Sequence, residues 1–160
     1  MIAGFPNLTP ASFSTSSPID FVYNCVAWAL ARDQTQWWQP GGPPYFWPIP
    51  NAPASLSVGA YLAGFEATGF RSCRSRRYLR GWQKIAIYTL GGQIFKHVAA
   101  QLPDSTWTSK LGQGQDITHS ALGSLEGPLY GQVTHLMRRL EPDSRGVRRL
   151  LARLRGLASR

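Results

Sequence analysis

The sequence predicts an α+β domain in which a buried, cysteine-bearing helix packs on an antiparallel sheet that carries a histidine. Three observations lead there. Val26-Ala27-Trp28-Ala29-Leu30 is apolar nearly all round and follows Asn24, a residue whose side-chain oxygen caps a helix start. The runs Gln83 to Leu90 and Gln93 to Leu102 are rich in Ile, Val, Tyr and Phe and flank Gly91-Gly92, the signature of a hairpin with a two-residue turn. A turn at Pro103–Ser105 then leads into Trp107 to Leu111 as a third antiparallel strand.

The remaining elements follow in order. Residues 1–20, rich in Pro, Ser and Thr, read as an irregular lead-in. From Trp37 to Pro53 prolines alternate with Trp37, Trp38, Tyr45, Phe46 and Trp47; such a loop either walls a cleft or covers the core. Ser55 to Thr68 is a second helix, capped by Ser55 and stopped by Gly69, with Val58, Tyr61, Leu62 and Phe65 apolar. Gly112 to Gly127 reads as loop with one helical turn, and Leu129 to Arg139 as the last strand. After Pro142, residues 143–160 form a basic helix with Val147, Leu150, Leu151, Leu154 and Leu157 on one stripe.

At 160 residues the chain is one domain, 1–160, long enough to bury a core unaided. Charged residues are 16%, and six Trp, seven Phe and six Tyr argue against disorder. No apolar run reaches membrane-spanning length, and Met1 to Asp20 lacks the basic and apolar regions of a secretory signal. Two cysteines make no disulfide framework, and His97, His119 and His135 have no metal-ligand spacing with them. No cofactor or metal is expected, and the thiols point to a reducing compartment. The net charge of +9 gathers in two clusters, Arg71 to Arg80 and Arg138 to Arg160. Neither cluster is interleaved with aromatics as a single-strand binder would be, so an acidic protein partner is preferred over nucleic acid.

Cys25 falls at the first residue of the predicted helix, where unpaired N–H groups and the macrodipole favour an anion. A thiol so placed can have its pKa lowered from about 8.5 into the range of roughly 3.5–7.5. The alternative is a buried thiol acting as a small hydrophobe. A nucleophilic cysteine needs a base, and His97 is the leading candidate. A two-residue turn sets Ala86 opposite His97, leaving space for a partner, and His97 shares its face with Ala99 and Gln101. His119, placed in a loop, and His135 are weaker candidates.

Asn24-Cys25-Val26-Ala27-Trp28-Ala29-Leu30 resembles the nucleophile helix of papain-like cysteine peptidases in their compact NlpC-type form. Lys96-His97-Val98-Ala99-Ala100-Gln101-Leu102 is similar to the histidine strand of that family. The tract from Trp107 through Asp116-Ile117-Thr118-His119 to Tyr130-Gly131 resembles a subgroup that includes toxin domains of bacterial polymorphic and contact-dependent systems. The likeness spans roughly residues 20 to 137.

The resemblance implies a papain-like fold with Cys25 as nucleophile, His97 as base, and an orienting residue from the strand after His97. A three-residue turn at Pro103–Ser105 aligns Ala99 with Ser109 and puts Ser109 on the histidine's face; other loop lengths present Thr108 and Lys110. Because Trp107 belongs in the core and Ser109 shares its parity, Ser109 is preferred, with Asp116 and Gln101 in reserve. The family's oxyanion glutamine is replaced by Ile19, so the Cys25 backbone N–H and Asn24 are the candidates for that role. The implied activity is cysteine peptidase action on a cytoplasmic protein, as an antibacterial toxin domain. Such a domain is delivered from a producing cell as part of a larger toxin and countered by an acidic immunity protein. The alternatives are a peptidoglycan amidase or endopeptidase, a protein deamidase, or a non-catalytic basic binding module.

Overall fold

A computed structural model describes residues 4–31, 45–52 and 55–141. The expected basic helix 143–160 and most of the Pro- and Trp-rich loop lie outside the described residues.

Among the described residues the chain forms β1 (Phe13–Thr15), α1 (Cys25–Ala31), α2 (Val58–Ala67), β2 (Arg71–Cys73), β3 (Trp82–Leu90), β4 (Ile94–Gln101), β5 (Trp107–Lys110), β6 (Asp116–His119), a 3₁₀ turn (Leu122–Leu125) and β7 (Gln132–Leu140). Seven strands join one antiparallel sheet in the order β1-β6-β5-β4-β3-β7-β2. This corrects the expected papain-like α+β architecture. The fold is dominated by its sheet, and α1 spans seven of the described residues. Three segments expected to be irregular or unassigned instead supply strands: Phe13–Thr15 and Arg71–Cys73 pair as edges, and Asp116–His119 pairs with both β1 and β5.

Each face of the sheet carries a core. On one, Ile85, Ile87, Val98, Ala100 and Met137 pack against Val26 and Ala29 of α1 and Tyr61 and Phe65 of α2. On the other, Ala86, Tyr88, Ala99, Trp107 and Ile117 pack against Phe5, Leu8, Leu122, Leu125 and Tyr130. Burial on both faces explains why β3 reads as a nearly unbroken apolar run.

The second helix is shorter than expected. Ser57, not Ser55, is its N-cap, accepting from the Ala60 N–H at 3.3 Å. Gly69 at φ +92° ends it, with the Phe70 N–H returning to the Phe65 carbonyl at 3.1 Å.

The hairpin also differs in register. Its turn holds three residues, because Leu90 pairs with Ile94, and a bulge follows between Tyr88 and Thr89. His97 is therefore opposite Tyr88 rather than Ala86. Beyond the bulge the displacement totals two residues, and with a side-chain period of two it leaves the faces of His97 and Ala99 unchanged; before it the displacement is one, and Phe95 joins the core of Ile87 instead of that of Tyr88. The turn after β4 is the three-residue one: Leu102 N–H reaches Thr106 O at 2.8 Å, and Ala100 pairs with Thr108.

Candidate active site

The site is built where β5 parts from β4. Only Ala100 and Gln101 of β4 pair with β5, so the flank of β4 beside His97 and Val98 has no strand against it. The start of α1 fills that opening. Asn24 Oδ1 caps the helix, accepting from the Val26 and Ala27 N–H groups at 3.1 Å each. With this oxygen spent on capping, the donors of the kind an oxyanion needs are the Asn24 Nδ2 amide and the backbone N–H of Cys25. Further along α1, Gln83 Nε2 donates to the carbonyls of Ala29 and Leu30, and Arg139 Nη2 donates to the Leu30 carbonyl.

Cys25 is half-buried, and the backbone N–H groups of Val98, Cys25 and Val26 act to lower its pKa. These N–H groups favour the thiolate, but burial is the larger effect and pushes the thiol up to about 11. The expected depression of the pKa is thus reversed: the helix start supplies a dipole, and the apolar surroundings outweigh it. Burial, and then the neighbouring His119, hold His97 well below 6.5. Thiol and imidazole are both neutral at pH 7.

The parity of β4 sets the His97 ring on the face of Tyr88 and Ala99, while Cys25 packs with the opposite core. The imidazole reaches diagonally towards β5, where its Nε2 is 3.0 Å from Ser109 Oγ. Among the described residues, Nδ1 of His97 has no hydrogen-bond partner. Tyr130 stacks on His97, with ring centroids 4.2 Å apart and planes at 6°.

Ser109 is fully buried and touches a second histidine, His119, whose Nε2 is 3.0 Å from Oγ. His119 Nδ1 lies 2.8 Å from the Ala121 carbonyl. Sequence reasoning passed over His119 because Gly112 and Gly114 make its surroundings read as loop; the alternation of Ile117 and His119 with Asp116 and Thr118 was the available strand signal.

The two reserve residues are engaged elsewhere. Asp116 accepts from Ser17 Oγ at 2.6 Å and from the Tyr23 hydroxyl, and lies 3.9 Å from the buried Lys110 ammonium. Gln101 Nε2 donates to the Arg76 carbonyl at 2.7 Å. Neither touches His97. No group of metal-binding side chains is present among the described residues. A cavity of about 420 Å³ opens at the other end of the sheet, lined in part by Arg71, Trp82, Arg138 and Arg139, and includes none of these site residues.

The chain belongs to the family described as Domain of unknown function (DUF7689), which matches residues 14–138. Neither a curated protein nor a solved structure matches it.

Proposed function

We propose that the chain is a cysteine hydrolase of the acyl-transfer type, with Cys25 as nucleophile and His97 as general base, acting on an amide bond of a protein. The observation that carries this reading is the arrangement on β4. His97 is anchored through Nε2, its Nδ1 has no hydrogen-bond partner among the described residues, and Cys25 packs against the core cluster that includes the next residue, Val98.

Because both groups rest neutral, the thiol proton passes to His97 Nδ1 as the sulfur attacks the carbonyl carbon. The tetrahedral oxyanion is met by the Cys25 N–H. His97 then gives the proton to the departing amine, the C–N bond breaks, and a thioester remains. Water attacks the thioester, His97 takes its proton, and that proton returns to the leaving sulfur. Ser109 keeps the imidazole in place throughout.

The substrate is a cytoplasmic protein and the setting an antibacterial toxin domain, supported by the sequence resemblance given above. The charge of +9 supports an acidic inhibitor protein as the partner. No described helix is long and apolar enough to cross a membrane.

Expression of the chain in bacterial cytoplasm tests the proposal. Growth should arrest only with Cys25 intact, and terminal proteomics should find a defined protein newly cut. Arrest that persists in Cys25→Ala refutes the mechanism. Toxicity confined to periplasmic export, with muropeptide products, moves the substrate to the cell wall.

A further inference from the structure

We infer that His119 is a positioning residue that fixes the tautomer of His97 through Ser109, an inference that rests on the acyl-transfer reading for its catalytic consequence. Three adjacent strands contribute to this relay. Thr108 pairs with Thr118 and Ser109 with Ile117, so Ser109 has His97 of β4 on one diagonal and His119 of β6 on the other. All three side chains are buried to within 1% exposure.

The direction of each hydrogen bond follows from one group that can only accept. The Ala121 carbonyl lies 2.8 Å from His119 Nδ1, so that nitrogen carries the proton. Burial keeps His119 neutral by lowering its pKa, which leaves Nε2 bare. The Ser109 hydroxyl, 3.0 Å away, therefore donates to His119. Its single proton being used, Ser109 Oγ accepts from His97, so the proton of the neutral His97 ring is on Nε2. Nδ1 of His97 is then the bare, basic nitrogen, the one a thiol proton needs. When His97 takes that proton, its Nε2–H donates more strongly along the same chain, with no group required to turn.

Remove His119 and the direction is lost. The Ser109 hydroxyl is free to donate to His97 Nε2 instead, which drives the ring proton to Nδ1 and closes the base.

The test is long-range ¹H–¹⁵N correlation of the histidine rings in the full chain at neutral pH, joined to acylation kinetics with a simple aryl ester. In the wild type His97 should be the Nε2–H tautomer and His119 the Nδ1–H tautomer. His119→Phe should move His97 towards Nδ1–H and lower kcat about 10- to 100-fold with KM unchanged. His119→Gln, whose side-chain oxygen can take the Ser109 proton, should restore most of both readouts. A His97 ring already Nδ1–H in the wild type overturns the inference, as does a tautomer that His119→Phe leaves unchanged. If His119→Phe does not fold, the wild-type spectrum and His119→Gln decide the matter. Expected tautomers in a wild-type chain that never acylates Cys25 would refute the acyl-transfer reading and leave the relay standing.

Discussion

His97 Nε2 and Ser109 Oγ stand 3.0 Å apart across 12 residues of sequence, on adjacent strands joined by a three-residue turn. Ser109→Ala should therefore leave two buried imidazole nitrogens without their shared partner, costing about 1–3 kcal/mol of stability. In steady-state assays kcat should fall while KM holds. An unchanged kcat would remove Ser109 from the site.

The thiol pKa of about 11 makes a distinct prediction. Alkylation of Cys25 by iodoacetamide should be slow at pH 7 and rise about tenfold per pH unit up to pH 10, following the thiolate fraction. Rapid labelling that is flat from pH 6 to 8 would mean an ion pair with His97 already exists at rest.

Burial of His97 and His119 as neutral rings also sets an acid limit. Both have folded pKa values below the 6.5 of the exposed side chain, so the unfolded chain binds more protons under acid conditions. Stability is full above pH 6.5 and falls as pH drops below it, by up to about 1.4 kcal/mol per pH unit for each proton. Urea midpoints from pH 7.5 to 4.5 should show this decline, and His119→Gln should lessen it. A midpoint that rises on acidification contradicts the burial of neutral rings.

Asp116 should matter to the fold and not to the chemistry. Asp116→Ala strips Lys110 of the carboxylate 3.9 Å away in a site where both are fully buried, and should cost roughly 3–5 kcal/mol. Per folded molecule, acylation by Asp116→Asn should stay within about twofold of wild type, less than the effect of one hydrogen bond. A large fall in kcat with stability intact would return Asp116 to the catalytic role considered from sequence.

Gly131 has φ +74°, and a Cβ there would overlap the Thr89 carbonyl oxygen. Gly131→Ala should destabilise by roughly 3–5 kcal/mol, read from the thermal midpoint.

The local chemistry of the site was more legible than the architecture around it. Asn24 as a cap, the helix starting at Cys25 and the Ser109 register each follow from short-range rules of capping, parity and turn length. The hairpin register was off by two residues, since neither the third turn residue nor the bulge near Tyr88 has a distinctive sequence mark. From His97 onward faces survived that error because two is the period of a strand, whereas Phe95, ahead of the bulge, changed sides. What sequence did not convey was the sheet's extent. Phe13–Thr15, Arg71–Cys73 and Asp116–His119 are short and polar, and they become strands only because a neighbour offers an edge. The thiol's pKa was misjudged for a related reason: a helix start can be read from sequence, but its burial depends on what folds over it.

Acylation of Cys25 is the most direct test of the central claim. Incubated with p-nitrophenyl acetate, the wild-type chain should release a stoichiometric burst of nitrophenol and show one acetyl thioester, mapped to Cys25 by mass spectrometry. Cys73→Ser should behave as wild type, and Cys25→Ala and His97→Ala should show no burst. Acetylation spread over lysines, or a burst that survives in either Cys25→Ala or His97→Ala, would contradict the assignment of a Cys25–His97 nucleophile.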